Sequence, residues 1–135
     1  MRLLNKLRKA RGDHNEERVR EALEALAETQ NSRVSNGEPA EYIISNFWQT
    51  KKFSKADVDG TDFRLNLLSG EYLDFETIVD LQVKSSKRGA NEHRLAHPDV
   101  PVVIVNPLVT DEQLMEKLDC IMKDAIRSGN AVSSI

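Results

Sequence analysis

Near the start of the chain, apolar positions recur at the three- and four-residue intervals of one helix face. They are Val19, Ala22, Leu23 and Leu26. Gly12 separates this pattern from a basic start, and Asp13 with Glu16 three residues later fits a capping box. The sequence therefore predicts a helix from Asp13 to about Glu28, then a polar loop over residues 29–39.

The next segment, residues 40–52, fits two patterns. Tyr42, Ile43 and Ile44 indicate a strand, because aromatic and β-branched residues favour strands. Ile43, Ile44, Phe47 and Trp48 fall instead at helical spacing, behind a proline suited to a first turn. We interpret the segment as a short helix that runs into an extended stretch.

Strict alternation then indicates two strands. Phe63, Leu65 and Leu67 alternate with polar residues, and a turn signal follows at Ser69 and Gly70. A second alternating run covers residues 75–84, so the two strands are predicted to pair antiparallel. Leu81 and Val83 would then face the core.

The remainder predicts one strand and one helix. Residues 102–105 are a continuous apolar run, typical of a strand covered on both faces. Thr110 and Gln113 form a capping box for a last helix that Gly129 would end. Its apolar stripe is Leu114, Leu118, Ile121, Met122 and Ala125. The expected architecture is α/β, one domain over residues 1–135 in which layers surround a single sheet.

Composition narrows the class of protein. The chain has 135 residues, 39% of them hydrophobic and 30% charged, which is ordinary for a globular protein. No apolar run is long enough for a membrane span, and the basic start lacks a secretory pattern. Cys120 is the single cysteine, so no internal disulfide forms, and we expect it to be a buried inert thiol. The cytoplasm is the expected location.

Charge is unevenly distributed along a chain whose net charge is −3. A dedicated non-specific DNA binder is usually basic, so this total does not indicate one. Basic residues nevertheless gather in residues 1–11, which we interpret as a basic N-terminal extension, and on either side of residues 59–84. These flanking residues are Lys51, Lys52, Lys55, Lys84, Lys87 and Arg88. They are consistent with a basic rim or with a solvated mixed surface.

Three polar residues stand out on the two alternating strands. Gln82 and Lys84 are two apart and share a face, and Asp62 begins the preceding strand. Counted from Ser69 and Gly70, Asp62 and Gln82 are not level, so a wider loop or a bulge is needed to align them. Metal-dependent phosphodiester hydrolysis requires hard oxygen ligands and a cation beside the reacting groups.

The string Asp59-Gly60-Thr61-Asp62-Phe63, followed by a hairpin and Leu81-Gln82-Val83-Lys84-Ser85-Ser86, resembles the PD-(D/E)XK nuclease superfamily. That group includes restriction endonucleases and Holliday-junction resolvases. The resemblance implies a restriction-endonuclease-like mixed β-sheet flanked by helices. It also implies Asp62 and Gln82 as ligands of Mg²⁺ or Mn²⁺, and Lys84 as the catalytic lysine.

The family also places a glutamate of the first helix in the site, and Glu16 fits because it lies on the same side as Val19 and Leu23. Glu17 would project away. Two departures from the family are visible. Gln82 replaces an acid with an uncharged amide, and residues 85–100 leave room only for a short helix or none between the lysine strand and the next strand.

Several other residues have a functional and a structural interpretation. Asp59 and Asp80 could be accessory ligands, although surface acids are the simpler interpretation. His93 and His97 could contact phosphate or be ordinary loop histidines. Trp48 fits a core or interface anchor better than a base-stacking platform.

Three functions remain open on the sequence. The first is a metal-dependent DNA nuclease, with Asp62, Gln82, Lys84 and Glu16 as its site. The second is a catalytically silent nuclease-fold binding module, and the third is a homodimeric interaction protein without a nucleic-acid role. The expected partners are DNA and a second copy of the chain, with no membrane.

Overall fold

The computed structural model describes residues 2–50 and 61–133, with side chains over 14–50 and 61–128. The elements are α1 (Arg2–Ser35), β1 (Tyr42–Gln49), β2 (Phe63–Ser69), β3 (Phe75–Lys84), α2 (Lys87–Ala96), β4 (Val102–Ile104) and α3 (Asp111–Ser133). The strands form one sheet in the order β1-β2-β3-β4. β1, β2 and β3 are antiparallel neighbours, and β4 pairs parallel to β3. The predicted α/β class, a mixed sheet flanked by helices, is confirmed.

One face of the sheet carries the core. Phe63 of β2 pairs with Leu81 of β3, and Leu65 pairs with Val79, so these buried residues point the same way. α1 and α3 pack on this face and against each other. The apolar stripes predicted for both helices are in the core, where Val19, Leu23, Leu114, Leu118 and Met122 are fully buried. Burial of these stripes is the main driving force that holds the helices to the sheet.

The opposite face is covered at its β3–β4 end by α2. Lys84 alternates with the buried Val83, and a Cβ placed on Gly89 of α2 would lie 3.7 Å from Lys84 Cδ. α2 begins with Ser86 as N-cap, whose hydroxyl accepts a hydrogen bond from the Gly89 amide at 3.1 Å. The ten-residue helix meets the expectation that any helix here is short.

The prediction of a short helix in residues 40–52 is wrong, because Tyr42–Gln49 form the strand β1. The register of β1 against β2 shifts between Ile44 and Asn46, so Ser45 is an extra residue in the strand. Such a bulge breaks the two-residue alternation. It puts Ile44 and Phe47 on the core side, and the resulting three-residue interval imitates a helix.

Both long helices exceed their predicted limits. α1 begins at Arg2 and runs through Gly12 to Ser35, so Asp13 is not its N-cap and Glu16 has no capping-box role. Residues 2–11, which carry the basic start, form the first turns of this helix, although their side chains lie outside the described part. α3 likewise runs through Gly129 to Ser133. A glycine within a helix costs only about 1 kcal/mol relative to alanine, which is too little to end a helix by itself.

The capping box of α3 is confirmed. The Thr110 amide donates to Gln113 Oε1 at 3.0 Å, and the Gln113 amide donates to Thr110 Oγ1 at 3.1 Å. Cys120 of this helix is exposed, which corrects the prediction of a buried thiol. It lies two residues from both Leu118 and Met122, a spacing that places it on the other side of a helix.

Candidate functional site

Asp62 lies directly before β2, beside the C-terminal end of β3. It directly precedes Phe63, which pairs with Leu81, so Asp62 is level with Gln82. Its amide donates to the Leu81 carbonyl at 2.8 Å, and its carboxylate Oδ2 accepts from the Val83 amide at 2.8 Å. A side-chain oxygen therefore bonds an amide of β3 at the end of the ladder. Asp62 is only 8% exposed, more buried than its sequence position after Gly60 indicates.

The alignment of Asp62 with Gln82 follows from the loop between the strands. Ser69 pairs with Phe75, so residues 70–74 form the connection instead of a two-residue turn. Gly70 and Leu73 have positive φ angles of 91° and 53°, which turn the chain within this loop. The wider loop that the sequence required is present.

Gln82 and Lys84 lie at the C-terminal end of β3 and point to the same face of the sheet. Both are half-buried, while the intervening Val83 is buried at 9% exposure. On the side away from Asp62, β4 holds the same stretch, because the Gln82 amide donates to the Pro101 carbonyl and the Val105 amide to the Lys84 carbonyl. The backbone of this segment is thus hydrogen-bonded on both sides.

Glu16 reaches the same end of the sheet from α1. It is half-buried, and its Oε2 accepts a hydrogen bond from Gln49 Nε2 at 3.3 Å. Gln49 ends β1 opposite Phe63, the residue after Asp62. Glu16 therefore contacts the end of β1, while its role as a metal ligand stays a prediction. Glu17 is exposed and bonds Arg20, as expected for the outward face.

Two further residues support this corner, and the interpretation of residues 40–52 as a short helix that runs into an extended stretch does not identify them. They are Gln49, which bonds Glu16, and Thr50. The Thr50 amide donates to the Asp62 carbonyl at 2.8 Å, and its hydroxyl donates to the Thr61 carbonyl at 2.6 Å. Recognition of β1 as a strand would have placed both beside Asp62.

Asp59 and Asp80 are both candidate accessory metal ligands, and the structure describes only Asp80. Asp80 forms a two-point ion pair with Arg64 across the strands, at 2.6 and 3.1 Å. This cross-strand contact explains Asp80 without a metal and supports its interpretation as a structural surface acid. Asp59 lies outside the described residues, as do Lys51, Lys52 and Lys55 of the expected basic rim. Trp48 faces away from the core and is 45% exposed, so it is not a core anchor.

The α2 side of the corner is rich in basic groups. His93 is buried within α2, and His97 follows as its C-cap, so the interpretation as loop histidines is wrong for His93. Their ring centres are 5.0 Å apart. Burial lowers the pKa of His93, and His97, Lys84 and Arg94 lower it further by charge repulsion. His93 is accordingly held in its neutral form.

The predicted metal ligands are oxygen donors of the kind that magnesium prefers, namely the carboxylates of Glu16 and Asp62 and the amide oxygen of Gln82. With glutamine in the third position, this set has only two charged ligands. Over residues 14–50 and 61–128, no three or more His, Cys, Asp or Glu side chains are grouped to hold a metal ion.

Within the described ranges, no helix is both long and apolar enough to cross a membrane. Comparisons with known protein families, with curated proteins and with solved structures found no match for this chain.

Proposed function

We propose that this protein is a DNA nuclease of the PD-(D/E)XK type that depends on magnesium or manganese. The observation that carries the proposal is the level placement of Asp62 and Gln82 on neighbouring strands, with Lys84 two residues further along the same face. This arrangement would bring a carboxylate, an amide oxygen and an ammonium group to one end of the sheet.

The roles follow from the chemistry of each group. Asp62, Gln82 and Glu16 would hold the ion, which when bound polarises a phosphoryl oxygen and lowers the pKa of a water ligand. Lys84 would place its positive charge beside the attacking water and the phosphate. The water oxygen attacks phosphorus, one bridging P–O bond breaks, and the departing oxygen takes up a proton.

The partners are proposed on the same basis. DNA is the substrate, and because cutting both strands requires two sites, we propose a homodimer in the cytoplasm. Sedimentation of the purified chain would distinguish a dimer from a monomer.

A nicking assay on supercoiled plasmid and branched DNA tests the activity. We expect magnesium-dependent nicking that EDTA abolishes and that Lys84→Ala reduces by orders of magnitude. Lys87→Ala is the matched control, because Lys87 is an exposed lysine three residues away on α2. Activity that is equal in both variants would refute the role of Lys84.

One observation favours a second candidate, a catalytically silent binding module. The uncharged Gln82 leaves two carboxylates in the predicted ligand set, which weakens attraction for a divalent cation. Such a module would bind DNA with strong salt dependence but would not cut it with either metal.

A further inference from the structure

His93 is a buried polar side chain whose hydrogen-bonding capacity is not satisfied. It is 6% exposed, and its Nε2 is buried without a hydrogen-bond partner. Leaving a buried polar group without a hydrogen-bond partner destabilises the fold. A ligand that hydrogen-bonds to Nε2 would recover that cost.

The charges around His93 indicate what kind of ligand it would be. The groups that act on it electrostatically are His97, Lys84 and Arg94, and no carboxylate of the described residues is among them. On α2, Glu92 bonds Arg88, and on β3, Asp80 bonds Arg64, so these two acids have basic partners of their own. The surroundings of His93 therefore favour an anion.

The cluster borders the proposed nuclease site. The Lys84 side chain passes beside Gly89, where a Cβ would be in ordinary contact with Lys84 Cδ at 3.7 Å, and the charge of Lys84 acts on His93. On the other side, Arg94 borders an open groove of about 580 Å³ between β4 and α3. The cluster thus includes Lys84 of the proposed nuclease site and Arg94 of this groove.

We propose that Lys84, His93, Arg94 and His97 form a binding site for a phosphate group of the nucleic-acid backbone. This inference rests on the proposed function for the identity of the ligand. Arg94 and Lys84 supply the charge, and His93 donates from Nε2 at the inner wall. The site would hold the DNA strand against α2 while the neighbouring phosphate lies at Asp62 and Gln82.

The test uses NMR signals of the imidazole groups in the full chain without metal, so that no turnover is needed. Inorganic phosphate should shift the His93 and His97 signals saturably, whereas sodium chloride at equal ionic strength should not. His14, exposed on α1, serves as the internal reference. Signals that follow ionic strength alone would overturn the proposal.

Two exposed arginines of α2 provide the matched pair of variants. Arg94→Gln should weaken phosphate binding about tenfold, the effect of one charge-assisted hydrogen bond. Arg88→Gln should leave it unchanged, because Arg88 pairs with Glu92 and does not act on His93. Equal losses in both variants would show only general attraction and would contradict the site.

A single-stranded oligonucleotide without terminal phosphates identifies the source of the phosphate. It should shift the same signals and compete with inorganic phosphate. If inorganic phosphate binds and the oligonucleotide does not, the backbone assignment is wrong. These outcomes are separate from the nicking assay: binding without cleavage would refute the nuclease and keep this site, and cleavage with unmoved histidine signals would do the reverse.

Discussion

The carboxylate of Asp62 and the backbone amide of Val83 form a 2.8 Å hydrogen bond that joins the beginning of β2 to the end of β3. The same side chain is the first proposed metal ligand. Structure and chemistry therefore place different demands on it, and substitutions can separate the two.

Asp62→Asn retains an acceptor oxygen for the Val83 amide, whereas Asp62→Ala leaves that amide unpaired. We expect Asp62→Ala to lower the free energy of unfolding by about 1–3 kcal/mol, and Asp62→Asn by clearly less. Both should abolish metal-dependent nicking. Urea melts beside the plasmid assay measure this, and equal stability of the two variants would show that the hydrogen bond contributes little.

Lys84 and Val83 are neighbours on β3 that face opposite ways. Lys84→Ala should change stability by less than about 1 kcal/mol, since it opens no core cavity, while nicking falls by orders of magnitude. Val83→Ala should cost about 1–3 kcal/mol through lost burial and retain activity while the protein is folded. The reverse pattern in denaturant melts would mean that the orientation of β3 is wrong.

Gln82→Glu adds a charged oxygen beside Asp62. We expect tighter binding of magnesium or manganese by calorimetric titration, together with lower stability of the metal-free protein, because two carboxylates then repel each other. Gln113→Glu serves as the control, since it adds the same charge in the first turn of α3, where an acid is well placed. Unchanged metal affinity in Gln82→Glu would remove Gln82 from the site.

His93 should make the fold sensitive to acid. Its pKa is lowered in the folded state from 6.5, so below that pH the unfolded chain binds more protons than the folded chain. Its contribution to stability is complete above pH 6.5 and is lost as the pH falls through the lower folded-state pKa. Thermal melts of wild type between pH 7 and pH 5 should show this decline, and His93→Gln should show less of it. Equal declines would assign the effect to other groups.

The sequence indicated β2, β3 and their inward residues because their alternation is unbroken. It failed at β1, where the extra residue Ser45 interrupts the alternation that identifies a strand. The predicted helix ends were wrong for a different reason. Gly12 and Gly129 lie inside α1 and α3, because the cost of one glycine, about 1 kcal/mol, is too small to end a helix by itself.

For the candidate site, residue types on alternating positions were sufficient to select Asp62, Gln82 and Lys84. Their alignment requires a wider loop or a bulge, an alternative that the sequence leaves open, and the five-residue connection 70–74 supplies the wider loop. The sequence did not predict that His93 is buried. Its burial follows from the packing of α2 on β3 and β4, which is a tertiary contact.

The connection from β3 to β4 runs through α2, whereas β1 to β3 are joined by consecutive pairings. β4 pairs with β3 at only three positions, against seven for each of the other strand pairs, so we expect its attachment to open first, and the Gln82 amide bonds directly to Pro101 beside it. Hydrogen exchange at Gln82 should therefore report opening of α2 and β4 as a unit, while the Leu65 amide exchanges only on global unfolding. The proposed catalytic strand thus borders the least protected part of the sheet, and the exchange rate at one amide would measure how often that border opens.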